Sequence, residues 1–222
     1  MVANKLIFQR CKYRKGSDYD AQRYWEDRFK KYELNIKGPG FEGASVKDNV
    51  IRYKRVLNHF ERLWKLHLPQ NHLPKTLEIG VGAGMITECL KGLGVADYVG
   101  IDITDYLFWK LQAIYPDYKF IRADVTAEKI KDKFDVIVII DVLQHIVTRE
   151  KINTAFYNLD QCLKSGGLIF LAPLTESTGK RQFYEHSWRL CDINVLSGYQ
   201  HLGEAEWNIG FSKIIVLKKP TA

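Results

Sequence analysis

Residues 76–90, TLEIGVGAGMITECL, decide the fold. Thr76 to Ile79 reads as a short strand, Gly80, Gly82 and Gly84 follow at alternate positions, and a helical pattern starts at once. A strand that breaks through glycines into a helix is the turn at which open parallel sheets bind ligands. Gly80 permits the tight turn, Gly82 lets a ligand approach bare backbone, and Gly84 lets the helix pack close. The spacing departs from the dinucleotide fingerprint, because Met85 stands where a third glycine belongs, and no phosphate-loop Lys follows. Glu78 sits two residues before the first glycine, where a carboxylate repels a pyrophosphate and suits a cation.

Working outward, strands are predicted at 76–80, 97–102, 118–122, 134–140 and 166–172, and helices at 84–92, 104–115 and 148–164. This alternation implies right-handed βαβ crossovers and a parallel sheet covered on both faces, an α/β doubly wound fold. FDVIVII, residues 134–140, is almost wholly apolar, as a strand buried on both sides should be. Residues 201–208 and 212–219 read as two strands joined by IGFS, a C-terminal antiparallel hairpin. Upstream, 17–34 reads as a helix capped by Ser17 or Asp18, and 47–68 as a second helix with Val50, Tyr53, Val56, Leu57, Phe60, Leu63, Trp64 and His67 at helical spacing. Gly38, Pro39, Gly40 and Gly43 make the segment between them a loop. Residues 1–70 are thus an N-terminal helical cap or lid and 71–222 the doubly wound domain, with a linker between Pro69 and Pro74.

Two further acids end strands. Asp102 closes the second, placed to accept bonds from ribose hydroxyls, and Asp124 closes the third, where a carboxylate can take an adenine amine. A ligand with a positive head, a ribose, an adenine and no phosphate suits Glu78, Asp102 and Asp124 together.

With 46% hydrophobic and 27% charged residues the chain can build a core. No apolar run reaches the ~18 residues of a membrane span, and the start lacks a signal-peptide stretch. The four cysteines are far apart, so no zinc site or disulfide framework is expected, and a reducing, cytoplasmic compartment is. Cys89 and Cys162 fall in helical patterns as buried thiols. The net charge of +7 is uneven: residues 1–70 carry 16 Lys/Arg against 8 Asp/Glu, and residues 71–222 carry 17 against 18. The basic cap is either a solvated surface or a face that draws an anionic substrate or nucleic acid.

LEIGVGAG, GID, RAD, FDVIVIIDVLQHI and LKSGGLIFLAPL, in that order, resemble the successive motifs of class I, Rossmann-like, S-adenosylmethionine-dependent methyltransferases. The resemblance covers 75 to about 175, and the hairpin suits that family's seven-stranded sheet. It implies S-adenosyl-L-methionine as cofactor and S-adenosyl-L-homocysteine as product. Residue by residue it implies that Glu78 orients the methionine amino end, Gly80, Val81 and Gly82 line methionine and ribose with Gly84 behind them, and Asp102 holds the ribose. Ile103 then packs on the adenine, Asp124 and Val125 contact its amine and ring, and Asp141, Val142 and Gln144 border the sulfonium.

DVLQH, residues 141–145, lacks the Asn/Asp-Pro-Pro-aromatic segment used on planar amines, and Ala172 and Pro173 replace the Asp-Asn of metal-dependent catechol enzymes. VLQHI is similar to the VLEHI of small-molecule methyltransferases. The implied function is methyl transfer, to O or N, onto a small anionic or polyhydroxylated acceptor, with no metal. His145 is the first candidate base, against a purely structural role; His186 and Arg189, in FYEHSWRLCDI, are a second base and an anion clamp, against a surface helix. In the cap, Trp25 and Tyr53 either pack core or face the sulfonium, and Arg28 and Arg52 are candidate acceptor contacts. An RNA or protein acceptor, and a non-catalytic binding module, are the alternatives; a nicotinamide oxidoreductase is disfavoured by Met85 and Glu78.

Overall fold

The computed structural model describes residues 9–69, 73–207 and 212–221. Its centre is a seven-stranded sheet whose strands are β1 (Thr76–Ile79), β2 (Tyr98–Asp102), β3 (Lys119–Arg122), β4 (Phe134–Ile140), β5 (Leu163–Thr175), β6 (Gln200–Glu206) and β7 (Ser212–Lys218). Their spatial order is β6-β7-β5-β4-β1-β2-β3. β1 runs parallel to β2 and β4, with Thr76 opposite Tyr98 on one side and Val136 on the other. β7 enters antiparallel between β5 and β6. The order reverses between β1 and β4, so the crevice at their carboxyl ends is the expected ligand site. Of the hairpin turn expected at IGFS, residues 209–211 lie outside the described residues.

Five helices of at least seven residues matter to the site: α1 (Ala21–Tyr32), α2 (Val46–His67), α3 (Met85–Gly92), α4 (Phe108–Ile114) and α5 (Arg149–Cys162). One face of the sheet packs Leu77, Ile79, Ile137 and Ile139 against Ile152, Ala155, Phe156 and Leu159 of α5. The other packs Val136, Val138 and Phe170 against Val56, Phe60, Leu63 and Trp64 of α2. The carboxyl-terminal half of α2 therefore covers the sheet, and the boundary expected at residue 70 separates a helix from a core it helps to build.

Several local expectations change. The cap of α1 is Asp20, whose carboxylate accepts from Arg23 N, and not Ser17 or Asp18. Tyr19 is buried, which holds 18–19 extended in a two-stranded ribbon with 14–15. In α2, Val50 faces solvent while Asn49 is buried, because Asn49 holds the glycine-rich loop: its Oδ1 accepts from Phe41 N at 2.9 Å and its Nδ2 donates to Phe41 O at 3.0 Å. FYEHSWRLCDI forms no surface helix. Glu185–Ser187 pairs with Gly179–Gln182 in a ribbon, and short 3-10 turns follow. Tyr24 of α1 stacks on Tyr184 of that ribbon at 5.0 Å, so cap and ribbon pack as one aromatic cluster. Cys162 is buried and Cys89 half-buried, burial pushing both thiols up to about 12. Among the described residues, no helix is long and apolar enough to cross a membrane.

Candidate functional site

The glycine loop follows β1 with Gly80, Gly82 and Gly84 all left-handed, at φ 79°, 52° and 82°. Two of them are set by neighbours. A Cβ on Gly80 would run into Val142, and one on Gly84 would come within 2.6 Å of Leu111 of α4. A Cβ on Gly82 would make only ordinary contacts with Phe29 and Pro39, so this glycine leaves open floor beneath the cap. Asp102 fixes the loop from below, its Oδ2 accepting from Gly82 N–H at 2.8 Å and its Oδ1 from Thr104 N–H at 3.1 Å. Burial pushes the Asp102 carboxyl up to about 6, against the pull of these backbone donors.

A cavity opens over this loop, holding ≈ 1020 Å³ of empty space with its mouth included. Its floor is Gly80, Val81, Gly82, Asp102, Ile103, Asp124, Val125, Asp141 and Val142, and its roof is Trp25, Phe29, Pro39 and Tyr53. Nine of the twelve residues expected around a cofactor thus meet in one space, and His145 joins them. Glu78, Gly84 and Gln144 do not line it. Glu78 turns to the other side of the sheet, where its Oε2 accepts from Tyr98 Oη at 2.6 Å and Thr87 Oγ1 at 2.9 Å. Burial pushes its carboxyl up to about 8. Asp124 accepts from Thr126 N and Oγ1 at 2.8 and 2.7 Å. Phe29 and Pro39 were not among the expected site residues; Phe29 lies one helical turn beyond Trp25, a spacing that could have marked it.

Asp141, just past β4, is the junction of the site. It is one of two non-glycine residues with positive φ among the described residues, at 60°, a conformation costing ~1–2 kcal/mol. That turn aims its carboxylate at α2. Tyr53 Oη donates to Oδ2 at 2.5 Å, Arg52 Nη2 to Oδ1 at 3.2 Å, and Gln144 Nε2 to Oδ1 at 2.7 Å. His145 lies 3.0 Å, through Nδ1, from Tyr184 O, and a carbonyl only accepts, so Nδ1 carries the proton. Nε2 then accepts from Gln144 Nε2 at 3.2 Å. Burial pulls the imidazole down to about 4, so it is neutral at pH 7. Trp25 meets its ring edge-on at 4.8 Å.

Beyond Asp141 a second cavity opens, ≈ 1600 Å³ with its mouth, between α2, the ribbon and the ends of β5 and β6. Asp141 lines both cavities. Arg52, Gln144, Arg181, Glu185, His186 and Trp207 line the second one. His186 stacks on Trp188 at 4.0 Å, and burial pulls its imidazole below the usual range.

A family model described as a methyltransferase domain matches residues 77–171, from β1 into β5. The chain is 29% identical over 109 residues to a ubiquinone biosynthesis O-methyltransferase of Burkholderia vietnamiensis, covering 46% of this chain and 45% of that protein. It spans about half the length of the curated relatives it matches. Among solved structures, magnesium protoporphyrin IX methyltransferase of Synechocystis, with bound SAM, superposes with a TM-score of 0.67 at 17% identity, over 92% of this chain and 100% of that one. N-methyltransferase NodS of Bradyrhizobium japonicum, in complex with S-adenosyl-L-homocysteine, superposes with a TM-score of 0.62 at 16% identity, over 87% and 98%.

The doubly wound domain meets its cap through few of the cations expected there. Arg28 faces neither cavity; its Nη2 donates to Lys37 O and Gly40 O at 2.8 and 2.6 Å and clamps the loop. Arg189 also lies outside both, held on Asp192 at 3.1 Å. Arg52 and Tyr53 do reach the site, through Asp141. Lys12 pairs with Asp27, Lys15 with Asp20, Lys30 with Glu26, Lys31 with Glu42 and Arg55 with Glu206; four of these acids belong to the cap itself, so the pairs leave its basic excess almost unchanged.

Proposed function

We propose that this chain transfers the methyl group of S-adenosyl-L-methionine to a small acceptor, as a cytoplasmic enzyme. The observation that carries the reading is the first cavity: bare glycine backbone, two strand-end carboxylates and an aromatic roof around one space. Its titratable lining is acidic. Asp18, Asp102, Asp124 and Asp141 face it with a single lysine, Lys151, itself paired to Asp18 at 2.7 Å. Such a wall attracts a sulfonium and repels a diphosphate. When bound, S-adenosyl-L-methionine would supply an activated methyl group, whose carbon an acceptor lone pair would take in line as the sulfur leaves with the carbon–sulfur pair. The chain's part is alignment and exclusion of water. Asp102 would hold ribose hydroxyls, since each carboxylate oxygen keeps a second lone pair beyond its backbone bond. Asp124 and Val125 would take the adenine. Trp25 and Tyr53 would close over the cation.

The acceptor would lie in the second cavity, across Asp141. A hydroxyl acceptor needs a base. His145 is a weak candidate, with its lone pair taken by Gln144 and its pKa at about 4. We assign it the positioning of Gln144 and Tyr184, and assign proton removal to His186. Calorimetry with S-adenosyl-L-methionine and with NAD tests the reading: heat with the former alone is expected, and heat with NAD alone would sink it.

A further inference from the structure

Seven of the ten large apolar side chains left exposed among the described residues fall within residues 34–73. Single exposed apolar groups are ordinary, but a cluster of them marks a contact surface. Its densest part is the amino-terminal end of α2. Val46 is 45%, Val50 46% and Ile51 58% exposed, and Phe41, whose backbone bonds Asn49, is 58% exposed. Phe41 and Ile51 also line the second cavity, so the cluster forms part of its rim. Cations are interleaved with it. At three- and four-residue spacing Ile51 is flanked by Lys47, Lys54 and Arg55, and Val50 by Lys47 and Lys54. The same exposed stripe runs on through Asn58, Arg62 and Lys65, about 27 Å along the helix from Lys47. Charge on α2 is one-sided, six Lys/Arg against Asp48 and Glu61. Arg52 is tied to Asp141, Arg55 to Glu206 and Lys65 to Glu61, and Asp48 accepts from Ser45 Oγ at the helix start. Lys47, Lys54 and Arg62 have no ion pair among the described residues.

We infer that this face of α2 docks on an anionic membrane surface. Val46, Val50, Ile51 and Phe41 enter the boundary between acyl chains and headgroups, while Lys47, Lys54 and Arg62 meet lipid phosphates. The inference stands apart from the methyl-transfer reading. Charge complementarity carries it: unpaired cations set among aliphatic groups suit a surface that is negative outside and apolar just beneath. The stems of the lysines can lie on the apolar layer while their ammonium groups reach the headgroups. Nucleic acid fits less well, because Val46, Val50 and Ile51 offer no ring on which a base stacks. A second copy also fits less well, because a two-fold contact through this face would set the same unpaired cations against each other. Docked so, the chain presents the mouth of the second cavity to the bilayer.

The test is co-sedimentation of the whole chain with vesicles of phosphatidylcholine alone and of equal parts phosphatidylcholine and phosphatidylglycerol, over a range of salt. Wild type should bind the anionic vesicles at least about tenfold more tightly than the neutral ones, and lose that preference as salt rises. A cation near such a surface is worth about fivefold, so Lys47→Glu with Lys54→Glu should weaken binding by about 25-fold or more. Val50→Ser with Ile51→Ser should weaken it by about tenfold or more at every salt concentration. Lys119→Glu with Lys129→Glu is the control for net charge. Both lysines are exposed, on β3 and just after it, and β3 is the sheet edge opposite the β6 residue Glu206 that Arg55 contacts. That pair should change binding by less than about twofold at moderate salt, where charges far from the surface are screened. All six side chains are exposed, so melting temperatures should hold. No binding to anionic vesicles, equal binding to both lipids, or a loss in the control pair as large as in Lys47→Glu with Lys54→Glu overturns the inference. So does a single-stranded RNA bound in place of vesicles, which gives the stripe to nucleic acid. A dimer by light scattering that Val50→Ser with Ile51→Ser splits overturns it too, and gives the face to a second copy.

Discussion

The two walls of the first cavity are made by different means. Below, residues 80–84 shape the floor with backbone: three left-handed glycines, held by Asp102 through an N–H. Above, α1, α2 and the loop between them shape the roof with side chains: Arg28 on two carbonyls, Asn49 on Phe41, Tyr53 and Arg52 on Asp141. A backbone floor tolerates almost no substitution at its glycines. A side-chain roof can be altered one bond at a time. Floor variants should therefore remove donor binding outright, and acceptor-side variants should change rates or KM and leave the donor bound.

The sharpest way to break that contrast is Gly82→Val. Its Cβ would meet Phe29 and Pro39 at 3.6 and 3.9 Å, which is ordinary contact, so the chain should still fold. The branched side chain would be strained at a positive φ and would fill the floor where the ligand lies. Donor affinity should fall by more than about 10²-fold, ~2.8 kcal/mol, with a modest loss of melting temperature. A variant that folds and binds normally would show that the floor is not bare by necessity.

Next in size is the acceptor side. With a hydroxyl acceptor, His186→Ala should slow transfer by roughly 10²–10⁴-fold, and product affinity should hold. His145→Ala should cost less than about tenfold, because its neutral ring only positions Gln144 and Tyr184. If His145→Ala is the slower enzyme, the two histidines exchange roles and the lone pair now given to Gln144 is freed during turnover.

The same contrast explains what could be read in the sequence. Five strands, the hairpin and the glycine loop were legible, because alternation, apolar runs and glycine spacing are local signals. The acids at the ends of β2 and β3 were legible because strand ends position them. The cap was not. Nothing in DVLQH announces that Asp141 turns left-handed, and its partners Arg52 and Tyr53 lie 89 and 88 residues away. Arg28 reads as a free cation until the loop folds and brings Lys37 O and Gly40 O to it. Glu78 shows the limit on the floor itself. Its position in the motif was plain, but strand alternation points it away from the cavity, toward Tyr98 and Thr87.

The smallest effect is in stability against pH, where sheet and ribbon should behave oppositely. Glu78 has its pKa raised to about 8 by burial. Between its ordinary value and about 8 the folded chain keeps a proton that the unfolded chain gives up, so stability falls as pH rises through that window. Asp102, raised to about 6, adds to the same slope at its lower end. Asp192, beside the ribbon, is held well below the usual range, first by Arg189, whose Nε and Nη2 lie at 3.2 and 3.1 Å, and then by Thr178 and Arg149. Its contribution is present above the ordinary carboxylate value and is lost as pH falls below it. Glu78→Gln should thus flatten the alkaline limb, keeping more of its melting temperature than wild type between about pH 5 and about pH 9. The amide oxygen can still accept from Tyr98 and Thr87, so the packing is kept. Asp192→Asn should leave that limb unchanged and lower the melting temperature near pH 7, with the gap to wild type closing below about pH 4. Parallel curves for Glu78→Gln and wild type would mean that the carboxyl ionises without cost, through water reaching Oε1, and that the floor's underside is less dry than its burial implies.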